Sequence, residues 1–304
     1  MKTSLKNNQL PFLSILPFCL MAVSSVCFPL TGEAAEVELG STDTNNSRAS
    51  LNSEGVNREA ESNFNSDTGV ITGSVDGPWA IWGGYSEETV EGKKITCNWK
   101  DGISEAEIKP GIFGGYVSVS IDKNKADALR NSVNLEKDDL ISVIVSGPAI
   151  KGGYVYGTGE HDAILNSVVL TDITAEAYVS GAHLLLGNGK LEDNSVSLVG
   201  SSISGFVTGA LQESGQGDEV HNSVEAKNTN VAGYVYGGYI LNPTGSGDIR
   251  NNEVSLSKTT VEGDGVTGLS YGNRCRNWEH SYSQKQLGGE GFYHRRAYDR
   301  VGFS

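Results

Sequence analysis

Helical patterning is the first thing missing from this sequence. Beyond the first thirty residues, no apolar stretch with a 3.6-residue period is long enough for an amphipathic helix. With 2 methionines and 7 prolines against 39 glycines in 304 residues, the composition suits a glycine-rich β protein of one or two domains. Cysteine is scarce. Of four, Cys19 and Cys27 fall in the N-terminal apolar stretch, and Cys97 and Cys275 are far apart. That excludes a disulfide framework and a cysteine-based metal cluster. Positive charge is in deficit: 23 Lys and Arg face 37 Asp and Glu, a formal net charge of −14. Nothing here would neutralise phosphates, so a nucleic-acid partner is not expected. The phosphate-binding pattern GxxxxGK[ST] is absent, and "GNGK", "GQGD" and "GSGD" do not make a regular calcium-binding nonapeptide repeat.

The chain opens with Lys2 and Lys6, then a largely apolar run from Leu10 to Leu30, then small residues at Gly32, Ala34 and Ala35. This predicts an export signal over 1–35, with a retained N-terminal membrane anchor as the competing assignment. Residues 36–68 are polar and aperiodic and read as a linker. An exported chain with so few cysteines must gain its stability elsewhere, and repetition is the candidate.

Self-similarity dominates residues 69–273. Asn-Ser-Val begins at Asn131, Asn166, Asn194 and Asn222, Asn-Glu-Val begins at Asn252, and a weaker "CNWK" copy holds Asn98. The last four steps are 35, 28, 28 and 30 residues. A second column runs in phase: "AIWGGY", "GIFGGY", "YVYGTG", "YVSGAH", "FVTGAL" and "YVYGGY" share Gly83, Gly114, Gly157, Gly181, Gly209 and Gly237. The unit starting at Asn131 is longer, which places an insertion around "LEKDDLISVIV".

Within one unit, "NSVSLVGSSISGFVTGAL", apolar residues alternate with polar ones at a period of two, and asparagine and glycine punctuate. A unit of 28 residues holds two or three short strands and cannot close a core alone, but stacked copies can. The expected fold is therefore all-β, a parallel β-helix of about six to seven coils. Ile81, Ile112, Val155, Val179, Val207 and Val235 are predicted to form one inward ladder. Trp82, Phe113, Tyr156, Ser180, Thr208 and Tyr236 would form the next, outward column, with Tyr154, Tyr178, Phe206 and Tyr234 on the same outer face. Aromatics there can stack along the rod. The asparagines are expected to ladder at a turn, side chain to side chain.

The recurring "NSV…VYGG" pattern resembles the passenger regions of bacterial type V autotransporters, particularly the large repetitive adhesins of Gram-negative bacteria. The resemblance covers about 69–273. It implies an exported β-helical passenger, often adhesive, followed by an outer-membrane β-barrel, and it carries over no catalytic residue. The sequence contains no barrel-like run of strands after Asn273, so the barrel is expected only in a full-length parent. Residues 274–304 change character, with six basic against three acidic side chains and no repeat. They read as the product of a slipped reading frame near Asn273, with a solenoid cap or a basic aromatic binding tail as alternatives.

β-helices also build polysaccharide lyases and hydrolases, which need clustered acids and bases. The acidic group at Glu136–Asp139 falls in the insertion and reads as a solvated loop. Glu160, His161 and Asp162 are adjacent on a variable loop and are weak candidates for a metal or acid–base site. His183 and His221 fall in different columns. No enzyme, cofactor or metal is expected. The expected role is adhesive or structural, at the cell surface, in the periplasm or secreted, with a secreted polysaccharide-active enzyme as the alternative. Host or bacterial glycans or proteins are the expected partners, through outward-facing Tyr154, Tyr156, Tyr234 and Tyr236.

Overall fold

The computed structural model describes residues 63–271, apart from 66, 77–79, 120–124, 244–247 and 264. The expected export signal, most of the linker, Cys275 and the basic tail lie outside the described residues. The described chain is all-β and winds into a parallel β-solenoid of about six turns. One turn shows the plan. Its strands are Ser195–Val199, Ser202–Ile203, Val207–Gly215 and Glu219–Val220. Successive turns stack these four strands into four sheets, here numbered 1 to 4 in that order. Every inter-turn pairing is parallel. The first pair, Phe64–Asn65 with Val70–Ile71, is antiparallel. Phe64 is buried in the core, so the solenoid begins a few residues before the expected boundary at 69.

The period-two pattern does what a half-buried strand requires. In Ser195–Val199, Val196 and Leu198 point inward and the serines face outward. Two separate apolar clusters fill the interior. The larger lies between sheets 1, 2 and the first half of sheet 3, and includes Leu198, Ile203 and Val207. The smaller lies between the second half of sheet 3 and sheet 4, and includes Leu184, Leu191 and Ala210.

Asparagine divides them. Asn131, Asn166, Asn194, Asn222 and Asn252 sit at the corner from sheet 4 to sheet 1, all fully buried. Each of the first four donates from Nδ2 to the Oδ1 of the next, at 2.9–3.1 Å. The backbone N–H donates to the same oxygen, at 2.7–3.1 Å. The second Nδ2 hydrogen goes to a backbone carbonyl of the preceding corner strand, as from Asn194 to Ala163 at 2.8 Å. Every amide from Asn131 to Asn222 thus uses both donors, and every amide oxygen from Asn166 to Asn252 accepts twice. The residue before each asparagine has positive φ: Arg130, Leu165, Asp193, His221 and Asn251, at 53–59°. Across the interior the ladder packs on bare backbone. A Cβ on Gly153 would sit 2.4 Å from Cγ of Asn166, and one on Gly181 2.5 Å from the carbonyl oxygen of Gly209.

The registers correct four of the expected columns, the aromatic one among them: Ala149, not Tyr154, pairs with Tyr178, and Tyr154 pairs with Tyr116 and His183. The inward ladder runs Ile81, Ile112, Ile150, Val179, Val207, Val235. Val155 belongs instead to the smaller cluster's ladder, between Val117 and Leu184. The glycine column runs through Gly152, not Gly157: a Cβ on Gly114 would meet the carbonyl oxygen of Gly152, and one on Gly152 that of Gly181. The outward column has Lys151 where Tyr156 was expected, because Lys151 pairs with Phe113 and Ser180. The cause is two overlapping matches in "AIKGGYVYG". Only "AIKGGY" sets Gly152 and Gly153 against Asn166 and in line with the neighbouring turns, which carry only glycine or alanine there. Asn98 is displaced too. Lys93 holds the ladder position, and its backbone N–H donates to Asn131 Oδ1 at 3.0 Å. From Lys93 to Gly114 and from Asn131 to Gly152 the span is then 21 residues in both turns, against 15 from Asn166 to Gly181. The insertion is therefore shared by two adjacent turns.

Asn194→Ala should cost about 4 kcal/mol in chemical denaturation, since it strands two donors of Asn166 and removes one partner from Asn222 and one from Ala163. Leu165 is exposed and held at φ 59°. Leu165→Asn should stabilise by about 1 kcal/mol, because asparagine tolerates that conformation and leucine does not.

Candidate functional site

Sheet 3 carries the chemistry. Its strands break the two-residue alternation together at the glycine pair, so residues three apart, such as Phe113 and Tyr116, come to the same outer face. There, ring packs on ring. Tyr116 stacks on Tyr154 at 5.0 Å, Phe113 lies 5.5 Å from Tyr154, and Trp82 and Tyr85 extend the row upstream. Downstream, Tyr154 meets His183 at 5.0 Å, and Tyr178 stacks on Phe206 at 4.8 Å. The rings form a third apolar cluster outside the sheet. Trp82, Phe113 and Tyr154 are therefore buried although they point away from the interior. The expected outward aromatic face exists, but mutual coverage closes it.

Lys151 enters this layer where its column elsewhere carries aromatics or small hydroxyls. It is only 4% exposed, with Nζ 3.7 Å above the ring of Tyr154 and 5.1–5.3 Å from the rings of Phe113 and Tyr178. Such a cage attracts a cation through the ring quadrupoles. One turn on, His183 is 1% exposed, with Nε2 3.2 Å from Glu213 Oε1 and Nδ1 3.4 Å from the Tyr178 hydroxyl. Burial pulls Lys151 down to about 7, with Glu213 opposing. Burial, with Lys151 adding to it, lowers His183 to about 4. Burial pushes the Glu213 carboxyl up, but His183 and Lys151 outweigh it and hold the group below its ordinary value. The phenols of Tyr154 and Tyr178 are raised, chiefly by burial. At neutral pH the cluster thus couples a partly charged lysine, a neutral histidine and a charged glutamate. Both Lys151 and His183 are closed off from solvent, so the cluster as it stands is a packed charge network rather than an open cleft.

The other candidates separate. His161 is buried, accepting from the Ala126 N–H at Nδ1 (3.1 Å) and facing the Thr158 carbonyl at Nε2 (3.0 Å). A carbonyl only accepts, so Nε2 is the donating nitrogen and Nδ1 the accepting one. Asp162 pairs with Lys125 and accepts from the Lys190 N–H at 2.7 Å, while Glu160 points to solvent. Three neighbours in sequence therefore serve three different contacts. His221 is exposed at the asparagine corner, near Asp193 and Asn251. Among the described residues, no group of three or more His, Cys, Asp or Glu is placed to hold a metal. Of the expected contact tyrosines, Tyr156 and Tyr234 are each 43% exposed and Tyr236 is half-buried. Tyr154 is buried beneath its neighbours, which removes it as a surface contact.

A carboxylate ladder also went unread in the sequence. Four residues before Asn131, Asn166 and Asn222 stand Asp127, Asp162 and Asp218, each accepting a backbone N–H from the following turn at 2.7–2.8 Å. Lys190 interrupts the column, which is why it does not read as a repeat. Comparison with protein-family models, with curated proteins and with solved structures finds no match to this chain.

Lys151 gives a pH dependence with a defined sign. Its folded value lies below the ordinary 10.5. Below about pH 7 both states carry the proton and the burial cost is complete. As pH rises from about 7 to 10.5 the folded state sheds the proton first and stability climbs, by at most about 1.4 kcal/mol per pH unit. Lys151→Met should abolish that climb and raise the melting temperature at pH 7, as read by thermal unfolding across pH 6–10.

Proposed function

We propose that this chain is an exported β-helical passenger of an autotransporter-like surface protein, with an adhesive or structural role and no catalysis. The observation that carries the reading is the registered repetition. Four parallel sheets and the asparagine corner hold the same residue positions from turn to turn, while the connections after sheet 3 vary. That is the economy of a rigid display rod: invariant strands set spacing, and loops carry recognition. The acidic connection at Glu136–Asp139 adds an exposed tip, with Leu140 at 85% exposure. The N-terminal apolar stretch supports export, and the scarcity of cysteine fits a rod stabilised by its ladders.

Glycans are the favoured partners, because sugar faces stack on tyrosine rings. Tyr156 and Tyr234 offer such rings; the buried stack beneath them serves stability. The alternative, a polysaccharide-active enzyme, would have to draw on Lys151, His183 and Glu213, and so needs the covering rings to move.

Immobilised polysaccharides and glycoproteins should retain the purified chain. Tyr156→Ala and Tyr234→Ala should each weaken retention several-fold at unchanged melting temperature. Unchanged retention in both variants would remove the tyrosines as contacts. Shortening of the polysaccharide by the wild-type chain, lost in His183→Ala, would replace the adhesive reading with the enzymatic one.

A further inference from the structure

From Val117 to Ile240 the ladders of the smaller interior cluster are apolar in every turn but one. Its sheet 4 ladder runs Val90, Ala128, Ala163, Leu191, Glu219, Ile249, and its sheet 3 ladder runs Val117, Val155, Leu184, Gln212, Ile240. Leu184 and Leu191 pack in one cluster. One turn later their places are taken by Gln212 and Glu219, both 0% exposed. Two polar substitutions at facing positions of one turn suggest a pair.

The hydrogen bonds around them are incomplete. Gln212 donates from Nε2 to the Gly187 carbonyl at 2.6 Å, leaving Oε1 with no donor. Both carboxyl oxygens of Glu219 also lack a hydrogen-bond partner. Gln212 Oε1 faces no hydrogen, the carboxyl is approached only by backbone N–H groups, and an ionised Glu219 would add a charge with no cation to balance it. A protonated Glu219 resolves this, because its O–H can donate to Gln212 Oε1.

No charged neighbour changes the account among the described residues. Asp218 is turned to the Asp248 N–H, Glu192 to Lys190, and Glu213 to His183 on the opposite side of sheet 3. Arg250 and His221 are exposed. The groups facing Glu219 are Leu191 and Ile249 in its ladder, Gly238, whose Cβ position lies 2.4 Å from Oε2, and the uncharged amide of Asn252, whose Nδ2 donates to the Glu219 carbonyl. The N–H groups of Gln212 and Tyr239 oppose the effect of burial on the carboxyl, but burial dominates and raises it well above its ordinary value.

We propose that Glu219 and Gln212 form a proton-dependent lock inside the solenoid, closed by a carboxylic acid hydrogen bonded to the carboxamide and released when the acid loses its proton. The direction follows from linkage. The unfolded or opened turn titrates at the ordinary carboxylate value, and the closed turn titrates higher. The lock's full contribution is therefore present in acid, below the ordinary value. It fades as pH rises towards the folded value, with the opening equilibrium growing about tenfold per pH unit across that interval. The turn from Val207 to Val231 becomes the joint at which the rod loosens.

The test uses the full chain and the difference between wild type and Glu219→Gln, which cancels the other titrating groups. Infrared spectra at neutral pH should show the carbonyl stretch of a protonated, desolvated carboxylic acid that is absent from Glu219→Gln. Hydrogen exchange over 207–231, corrected for its intrinsic pH dependence, should speed up with pH in the wild type and stay flat in the variant. If Glu219→Gln fails to fold, Gln212→Leu/Glu219→Leu restores the leucine pair of the preceding turn and should be more stable than wild type at pH 7, with no such slope. A carboxylate band in place of the acid band at neutral pH, including one that depends on an added metal cation, would overturn the proposal. So would an exchange slope in the variants equal to that of the wild type.

Discussion

One side-chain amide per turn fixes the rest of this structure. A buried asparagine is costly unless all its hydrogen-bonding groups are used, and the only arrangement that uses them here places an identical asparagine directly above and below. That requirement sets the register of sheet 1, because the next residue in every turn is the first strand residue. It sets the left-handed backbone of the residue before it. It also keeps side chains on the facing strand small, which is why a glycine followed by glycine or alanine marks sheet 3 in each turn from Gly83 to Gly238. The division of the interior into two apolar clusters follows from the same column. The ladder is not an ornament on a hydrophobic rod but the partition around which two thin cores are built.

The outer layer of sheet 3 shows how the same repetition can be turned to a different end. A break in the alternation at the glycine pair aims side chains three residues apart at one surface, and stacked turns bring their rings within 5–6 Å. Once the rings cover each other, they create an environment in which a lysine and a histidine lose water and shift their proton affinities. The unusual electrostatics of Lys151, His183 and Glu213 thus follow from packing on the outside of a sheet, with no cavity involved.

The sequence made the solenoid legible because its commonest signal, Asn-Ser-Val, is also the one with the tightest physical requirement. Where that signal was intact, as at Asn166, Asn194 and Asn222, spacing alone located the ladder and the glycine facing it. It failed at the longer turns. Lys93 contributes only its backbone to the ladder, so its side chain gives no hint, and the nearby asparagine at 98 drew the alignment. "YVYGTG" resembles the later copies more closely than "AIKGGY" does, which hid Lys151 and carried Val155 and Gly157 into the wrong columns. Burial of Tyr154 was invisible because alternation says which face a residue takes, not whether that face is later covered. Glu219 was hidden because its column, valine, alanine and leucine before it, has no fixed residue type against which an acid would stand out.

The asparagine ladder is also vectorial. Each rung from Asn131 to Asn222 donates towards its C-terminal neighbour, and each from Asn166 to Asn252 accepts from its N-terminal one. The two sides of any turn are therefore chemically unlike, one presenting an amide oxygen and the other amide hydrogens. A further turn can continue the array only head to tail, since a turn laid on in reverse would set donor against donor. The rod has a polarity written into its interior, independent of its surface.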